Sequence, residues 1–233
     1  DSTRVWAKRL LTSANSISIG RLLPQMAYYA WASLDYFART GIKPGFVIPS
    51  GNAGNAVAAI WAWKMGLPIR ELILASNANR ALPDYFSTGV FRPAPTVQTI
   101  ANAMDVGNPS NLERVIHLEQ AKKIQNGFLK SLSVTDDEIR VAIEKGHRLH
   151  GVIFCPHTAA AFHARGMENS EHWIIVATAH PAKFNAVIES VLGSAVPFPP
   201  QLTSILEKTE VYPTIAPKIA ELEEQLSGPG PAS

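Results

Sequence analysis

The residues best placed to do chemistry form a glycine-rich turn. Pro49-Ser50-Gly51-Asn52-Ala53-Gly54-Asn55 directly follows the apolar run Phe46-Val47-Ile48, and an Ala- and Trp-rich stretch comes next. This order predicts a strand, a turn and a helix. Glycines let backbone N–H groups approach a ligand closely, and a helix N-terminus adds about half a positive charge. The segment therefore indicates a cradle for a phosphate group.

Two phosphate-binding motifs are absent from the turn, and this limits the kind of phosphate group that it could bind. It contains no Lys, which excludes a Walker A loop, and it does not have the Gly-x-Gly-x-x-Gly spacing of a dinucleotide-binding turn. Its asparagines favour a small phosphate, such as that of a cofactor. The alternative is a tight strand-to-helix turn that binds nothing, because glycine is common in such turns.

Two further apolar runs also end in polar, reactive residue types. Phe154 leads to Cys155-Pro156-His157-Thr158, and Ala177 leads to Thr178-Ala179-His180-Pro181. In open α/β sheets, ligands bind at the carboxyl ends of the strands, so we expect these segments to share one site with the glycine turn. Taken singly, each has a structural alternative: the two His side chains satisfy backbone groups at helix starts, and Thr178 is an ordinary helix cap.

The composition excludes several classes of protein. Charged residues make up 17% and hydrophobic residues 46%, which is typical of a globular chain, and the net charge of +2 comes without a basic cluster, so a nucleic-acid partner is not expected. No apolar run is long enough for a membrane span, and no metal site is predicted. The single cysteine, Cys155, fits a reducing compartment, and we expect a cytoplasmic protein.

Alternating helical and strand patterns predict an α/β fold. Helices are expected near residues 5–11, 19–40, 56–65, 112–132, 136–150, 156–164, 181–191 and 217–226. Buried strands are expected at residues 46–48, 71–75, 152–154 and 173–177. Residues 76–112 are rich in Pro and Asn, and a long irregular stretch of this kind is usually functional.

Four segments resemble threonine synthase, a pyridoxal-phosphate enzyme of the tryptophan synthase β-like fold. They occur in the family's order, with Pro156-His157-Thr158 between the last two, and the resemblance covers nearly the whole chain. The segments are Leu11-Thr12-Ser13-Ala14-Asn15-Ser16-Ile17-Ser18-Ile19-Gly20-Arg21, Pro49 to Asn55, Asn102-Ala103-Met104-Asp105-Val106-Gly107-Asn108-Pro109-Ser110-Asn111 and Ala177-Thr178-Ala179-His180-Pro181-Ala182-Lys183-Phe184.

The resemblance implies a fold, a cofactor and site residues. The implied fold is a three-layer α/β/α arrangement with a mostly parallel sheet, and the implied cofactor is pyridoxal 5'-phosphate. Thr178 matches the hydroxyl that faces the pyridine nitrogen, and a neutral partner there tunes the cofactor as an electron sink. The residues that match the cofactor-phosphate loop are Gly51, Asn52, Ala53, Gly54 and Asn55. Those that border the substrate side are Ser13, Asn15, Ser16 and Arg21, which suit a phosphorylated amino-acid substrate.

The sequence departs from the family in three ways. Ala53 stands where many relatives have Phe, and Cys155 stands where Asp is common. We expect Cys155 to be a buried, inert thiol rather than a nucleophile paired with His157. No segment resembles the one that bears the lysine of the Schiff base, so no catalytic residue is recognisable. The chain resembles the C-terminal half or so of the enzyme.

These implications lead to expectations about organisation and partners. We expect a helical segment at residues 1–45 that borders the site, the main cofactor-binding domain at 46–227, and a disordered tail at 228–233. A lone fragment would leave apolar surface uncovered, so we expect self-association or pairing with a complementing N-terminal chain.

The sequence leaves three alternative functions. The first is the threonine synthase reaction, which converts O-phospho-L-homoserine and water to L-threonine and phosphate. The second is a non-catalytic relative that binds a phosphorylated ligand or a partner. The third is a hydrolase with a Ser or Cys nucleophile, for which the Gly-x-Ser-x-Gly elbow is missing.

Overall fold

The computed structural model describes residues 15–121, 123–210 and 212–227. Four parallel strands form one sheet in the order β3-β2-β1-β4. They are β1 Gly45–Pro49, β2 Leu72–Ser76, β3 Leu129–Ser133 and β4 Trp173–Ile175. The helices of the same part of the chain are α1 Ile19–Leu22, α2 Met26–Thr40, α3 Gly54–Lys64, α4 Ala81–Thr88, α5 Leu112–Gln120, α6 Asp136–His150, α7 Pro156–Gly166, α8 Asn185–Leu192, α9 Pro200–Leu206 and α10 Ile219–Ser227. Short 3-10 helices occur at Leu23–Gln25, Asn102–Met104 and Pro181–Phe184.

Helices cover both faces of the sheet, as predicted. Successive strand side chains point to opposite faces, so Phe46 and Ile48 pack with one buried cluster that includes α3, whereas Val47 packs with the other. On that second face, Ala161 and Ala164 of α7 contact the strands. This is the three-layer α/β/α arrangement expected from the sequence.

Local sequence signals explain where several helices begin and end. Thr135 caps α6 in a capping box with Glu138, and Gly151 ends the same helix in the left-handed conformation, with φ 65°. The predicted long helix at residues 19–40 forms, but it changes to a 3-10 turn around Pro24, whose ring removes a backbone donor.

Two predicted elements are wrong. The helix expected over residues 112–132 ends at Gln120, and strand β3 occupies its last part. Gly127 adopts a left-handed turn, with φ 80°, that redirects the chain into the sheet beside β2. The strand expected at residues 152–154 does not form, because the N–H of Val152 bonds back to the carbonyl of Gly146 at 3.2 Å and the segment runs directly into α7.

The described residues belong to two compact units. Residues 15–197 form one, which contains the sheet, and α9 and α10 belong to the other. The predicted helix at residues 5–11 and the predicted tail at 228–233 lie outside the described residues. The predicted division into residues 1–45 and 46–227 stays a prediction.

Candidate functional site

The glycine turn after β1 is braced from both ends. The hydroxyl of Ser50 donates to Oδ1 of Asn55 at 3.1 Å, and Nδ2 of Asn55 donates to the carbonyl of Pro49 at 2.9 Å. From the neighbouring strand, the hydroxyl of Ser76 donates to the carbonyl of Ser50 at 3.0 Å. Because these bonds use side chains and carbonyls, they fix the turn without using its own amides.

The backbone N–H groups of the turn are left available. Within the part of the chain that the structure describes, the amides of Gly51, Asn52, Ala53, Gly54 and Asn55 have no hydrogen-bond partner. Ala53 precedes α3 with φ 58°, the left-handed region that non-glycine residues rarely adopt. Strain of this kind persists only where surrounding structure requires it. The result is five free donors at the N-terminus of a helix.

A second wall of the site comes from the irregular segment before α5. Met104 lies so close to the turn that a Cβ on Gly51 would come within 2.6 Å of its Cα, which explains why a glycine is required there. Asp105 anchors this wall, because its Oδ1 accepts from Nδ2 of Asn77 at 2.7 Å and from the hydroxyl of Thr99 at 2.7 Å. Asn77 follows β2 and is fully buried, so the wall is tied to the end of the sheet.

His157 joins this wall to α7. Its Nε2 accepts the N–H of Ala103 at 3.0 Å, and its ring lies 4.8 Å from the ring of Phe184. Burial lowers the pKa of His157, a nearby Asp105 opposes that effect, and Lys183 adds to it. His157 therefore satisfies a backbone group at a helix start, as predicted, but that helix is not its own. The amide belongs to the 3-10 helix Asn102–Met104.

Thr158, the third residue of α7, connects the start of that helix with the segment after β4. Its hydroxyl lies 3.2 Å from Sγ of Cys155 and accepts the N–H of Thr178 at 3.4 Å. Cys155 is buried and caps α7, so the expectation of a buried thiol is confirmed. His180, not Thr178, is the N-cap of the 3-10 helix Pro181–Phe184. Thr178 is therefore not the cap of this helix.

The turn at residues 15–18 closes a further side of the site. Nδ2 of Asn52 donates to the hydroxyl of Ser16, while Nδ2 of Asn111 donates to the carbonyl of Ser16 at 3.2 Å. Arg114 donates to the carbonyl of Ile17 at 2.9 Å. Asn111, from a segment quoted above only for its resemblance, and Arg114 therefore hold the turn that carries Asn15 and Ser16, two of the predicted substrate residues.

All of these segments enclose one cavity of about 330 Å³. Arg21 and Lys183 contribute positive charge, and no Asp or Glu is among the described residues that line it. The lining residues are Ser16, Arg21, Leu22, Gln25, Pro49, Gly51, Asn52, Ala53, Gly54, Asn55, Ala103, Met104, His157, Thr178, Ala179, Lys183 and Phe184. A cationic cavity with free amide donors suits an anion such as a phosphate ester.

The structure brings most of the predicted site residues together. The five loop residues, Thr178, Ser16 and Arg21 all line the cavity. Asn15 does not line it, but its Oδ1 accepts the N–H of Ile17 at 3.1 Å and so shapes the turn. Ser13 lies outside the described residues. Whether these residues bind cofactor and substrate stays a prediction.

Sequence reasoning missed the opposite wall. Ala103, Met104, Asp105 and Asn111 were recognised only as part of a family segment, and Asn77 was not assigned at all. A signal was present: Asn77 lies just after the strand predicted at residues 71–75, at the same sheet edge as the glycine turn.

The described residues offer neither a candidate metal site nor a candidate membrane-spanning helix. Among residues 15–121, 123–210 and 212–227, no group of His, Cys, Asp or Glu side chains could hold a metal ion. None of the helices in those ranges is long and apolar enough to cross a membrane.

Two family models match the chain. The model described as "Pyridoxal-phosphate dependent enzyme" matches residues 7–176, and the model described as "Threonine synthase, C-terminal" matches residues 156–226. Among curated proteins, the threonine synthase of Serratia marcescens is 37% identical over 222 residues, which cover 94% of this chain and 51% of that protein.

Solved threonine synthases share the fold. The pyridoxal phosphate-bound enzyme from Brucella melitensis superposes with a TM-score of 0.82 at 28% identity, covering 92% of this chain and 52% of that one. The enzyme from Escherichia coli superposes with a TM-score of 0.81 at 32% identity, covering 93% and 51%. The chain thus spans about half the length of the relatives that it matches.

The resemblance inferred from sequence is therefore confirmed, and so are the fold and the cofactor, pyridoxal 5'-phosphate. The chain belongs to the family of pyridoxal-phosphate dependent enzymes of fold type II and is similar, along nearly all of its length, to the threonine synthases.

Proposed function

We propose that this chain forms the cofactor-phosphate side of a threonine synthase active site, which converts O-phospho-L-homoserine and water to L-threonine and phosphate. The observation that carries the proposal is the set of five amides, from Gly51 to Asn55, that have no partner among the described residues and lie in the wall of a cavity that Arg21 and Lys183 make positive. Amide donors at a helix N-terminus are a general means of binding phosphate.

The residues present fit pyridoxal phosphate. The glycine turn would hold the phosphate, and Asn55 braces that turn from inside. Thr178 lines the same cavity and would offer a neutral hydroxyl to the ring nitrogen. The bound cofactor supplies an electron sink that stabilises carbanions. The described residues contribute binding, orientation and charge around that group.

The substrate side is proposed to lie along the turn at residues 15–18. Arg21 and the hydroxyl of Ser16 line the cavity, and a guanidinium with hydroxyl donors matches the phosphate of O-phospho-L-homoserine. Asn15 orders this turn through its bond to Ile17. The predicted contribution of Ser13 belongs to the same proposal.

The activity also requires a polypeptide that bears the lysine of the Schiff base. We propose that this chain works with such a complementing segment, which corresponds to the half of the relatives that it does not span. A second copy of the chain is the competing partner.

Binding of pyridoxine 5'-phosphate to the chain tests the proposal directly. This ligand carries the phosphate but no aldehyde, so it does not react with surface lysines. We expect saturable binding by calorimetry, and no comparable binding of pyridoxine, which has no phosphate. Arg21→Gln is expected to leave this affinity within about twofold but to weaken O-phospho-L-homoserine about tenfold or more, the loss typical of a charged hydrogen bond. Equal affinity for pyridoxine and its phosphate would refute the proposal.

A further inference from the structure

His157 is a buried titratable group at the second position of α7, and its two ring nitrogens have different surroundings. Its side chain is only 3% exposed. Nε2 accepts the N–H of Ala103, whereas Nδ1 is buried without a partner among the described residues. A neutral imidazole carries one proton, and a nitrogen that accepts a hydrogen bond does not hold it. The proton therefore lies on Nδ1.

The residue that His157 holds belongs to the wall opposite the glycine turn. Ala103 lies in the 3-10 helix Asn102–Met104, and Met104 is the residue whose backbone packs against Gly51. All three of these residues line the cavity, as does His157. The bond to Ala103 thus connects α7 with the part of the wall that faces the proposed phosphate site.

The same wall has a second anchor at its other end. Nδ2 of Asn77 donates both to the carbonyl of Ala101, at 3.2 Å, and to Asp105. This anchor uses an amide donor and a carboxylate acceptor. His157 instead uses a ring nitrogen, and once protonated its Nε2 no longer accepts a hydrogen bond.

We propose that His157 is a positioning residue for the ligand cavity, because its unprotonated Nε2 holds Ala103, and with it Met104, against the glycine turn. Loss of this acceptor loosens the wall and weakens binding of a phosphorylated ligand. The identity of that ligand rests on the proposed function, but the positioning role also has a consequence in the ligand-free protein.

The charges around His157 set the direction of the pH effect. Burial disfavours the imidazolium, Lys183 disfavours it further, and Asp105 favours it, with a lowered pKa as the net outcome. If His157 positions the wall, ligand affinity falls on acidification. If it acted instead as a cation for the phosphate, affinity would rise on acidification, so the sign of the change separates the two roles.

Calorimetry with pyridoxine 5'-phosphate at about pH 8 and about pH 5.5, on either side of the ordinary range of histidine titration, is the first test. The variants are His157→Gln, whose amide oxygen occupies nearly the place of Nε2, and His157→Asn, whose shorter amide does not reach Ala103. His163→Gln, on the same helix but outside the cavity, is the matched control.

We expect the Asn variant to bind about tenfold more weakly than the Gln variant at about pH 8, the effect of one lost hydrogen bond to a buried donor. Wild type and His163→Gln should lose more affinity than His157→Gln between the two pH values, since the phosphate of the ligand titrates equally in all. Equal affinities of the Gln and Asn variants at about pH 8 would overturn the proposal, as would an affinity that rises in acid in wild type but not in His157→Gln.

Amide exchange of Ala103 in the ligand-free protein is the second test, and it is independent of the proposed function. Protection of this amide should be present in wild type and His157→Gln, reduced at least tenfold in His157→Asn, and reduced in wild type at about pH 5.5. If the ligand fails to bind but this pattern holds, the proposed function fails and the positioning role stands. Equal protection in the Gln and Asn variants would overturn it.

Discussion

The hydroxyl of Ser50 donates to Oδ1 of Asn55 at 3.1 Å and thereby joins the two ends of the glycine turn. Oδ1 of Asn55 also accepts the N–H of Ala56 at 2.9 Å, and its Nδ2 donates to the carbonyl of Pro49 at 2.9 Å. One side chain therefore braces a loop in which the amides of Gly51 to Asn55 have no partner among the described residues and are open to a ligand.

Replacement of Asn55 should damage both stability and binding. Asn55→Ala removes three hydrogen bonds, and at about 1 kcal/mol each we expect a loss of about 2–3 kcal/mol in the free energy of unfolding. Asn55→Asp keeps the acceptor but adds a negative charge beside the proposed phosphate, so its affinity for pyridoxine 5'-phosphate should be lower than that of the Ala variant. Urea unfolding and calorimetry measure the two effects.

Asn126→Ala, at an exposed position, is the control for Asn55 and should change the free energy of unfolding by less than about 0.5 kcal/mol. A stability of Asn55→Ala equal to that of the control would contradict the bracing role.

Gly51→Ala tests the close approach of the two cavity walls. The added Cβ would lie 2.6 Å from Cα of Met104 and 3.0 Å from its carbonyl carbon, and backbone atoms cannot rotate away. We expect a loss of about 1–3 kcal/mol from overpacking, together with weaker ligand binding. Gly166→Ala, whose Cβ would meet nothing within 4 Å, is the matched control and should be neutral or stabilising. Similar melting temperatures for the two variants would argue against this packing.

Asp105→Asn tests the polar anchor of the same wall. Each carboxylate oxygen of Asp105 accepts at least one hydrogen bond, and Oδ2 accepts the N–H of Thr99 at 3.0 Å. The NH₂ group of an asparagine would therefore face a donor whichever oxygen it replaced. We expect a loss of about 2–3 kcal/mol, as for hydrogen bonds to a charged group. Asp35→Asn, which breaks an exposed ion pair with Arg39, should cost less than about 1 kcal/mol. The prediction fails if the two variants unfold at the same urea concentration.

The strand, turn and helix of the glycine segment followed from local sequence because apolar periodicity and glycine content act over a few residues. Strands β1 and β2 and helix α6, with its Thr135 cap, were predicted for the same reason. Strand β3 was not, since its sequence Leu-Lys-Ser-Leu-Ser does not alternate between apolar and polar residues and forms a strand through its pairing with β2.

The two walls of the site also differ in how far their residues could be predicted from the sequence. The glycine turn and Thr178 carry recognisable motifs, whereas Ala103 and Met104 line the cavity only because Asn77 and His157 hold them there from distant parts of the chain. Hydrogen bonds between residues 54 positions apart, such as that from Ala103 to His157, leave no periodic signal in a single sequence.

The pKa of His157 also predicts how stability depends on pH. Its pKa is lowered by burial in the folded protein, and the unfolded chain has the ordinary value of about 6.5. The unfolded state therefore takes up a proton first as the pH falls, so the contribution of His157 to stability is complete above pH ~6.5 and is lost as the pH falls towards the folded pKa. Melting temperatures should fall more steeply below pH ~6.5 in wild type than in His157→Gln. Parallel curves for the two proteins would be inconsistent with a neutral, buried His157.

The apolar groove between α2 and β4 is the surface on which we expect the complementing segment to pack. Within the described ranges, β4 pairs only with β1, and Trp31 is 72% exposed in a groove of about 560 Å³ that shares Asn55 and Thr178 with the ligand cavity. A free strand edge beside exposed aromatic surface favours association with another apolar segment. The relatives are about twice as long as this chain, and we expect the part that it does not match to contain that segment.

Trp31→Glu should therefore prevent assembly with the complementary half of the Serratia marcescens enzyme. We expect wild type to form a 1:1 complex in sedimentation experiments, and the variant to bind at least tenfold more weakly, because the charge is desolvated at the interface. Met65→Glu, at a position 76% exposed after α3, is the control and should assemble normally. Assembly that is unchanged in Trp31→Glu, or self-association of wild type that excludes the added half, would show that another surface or a second copy completes the site.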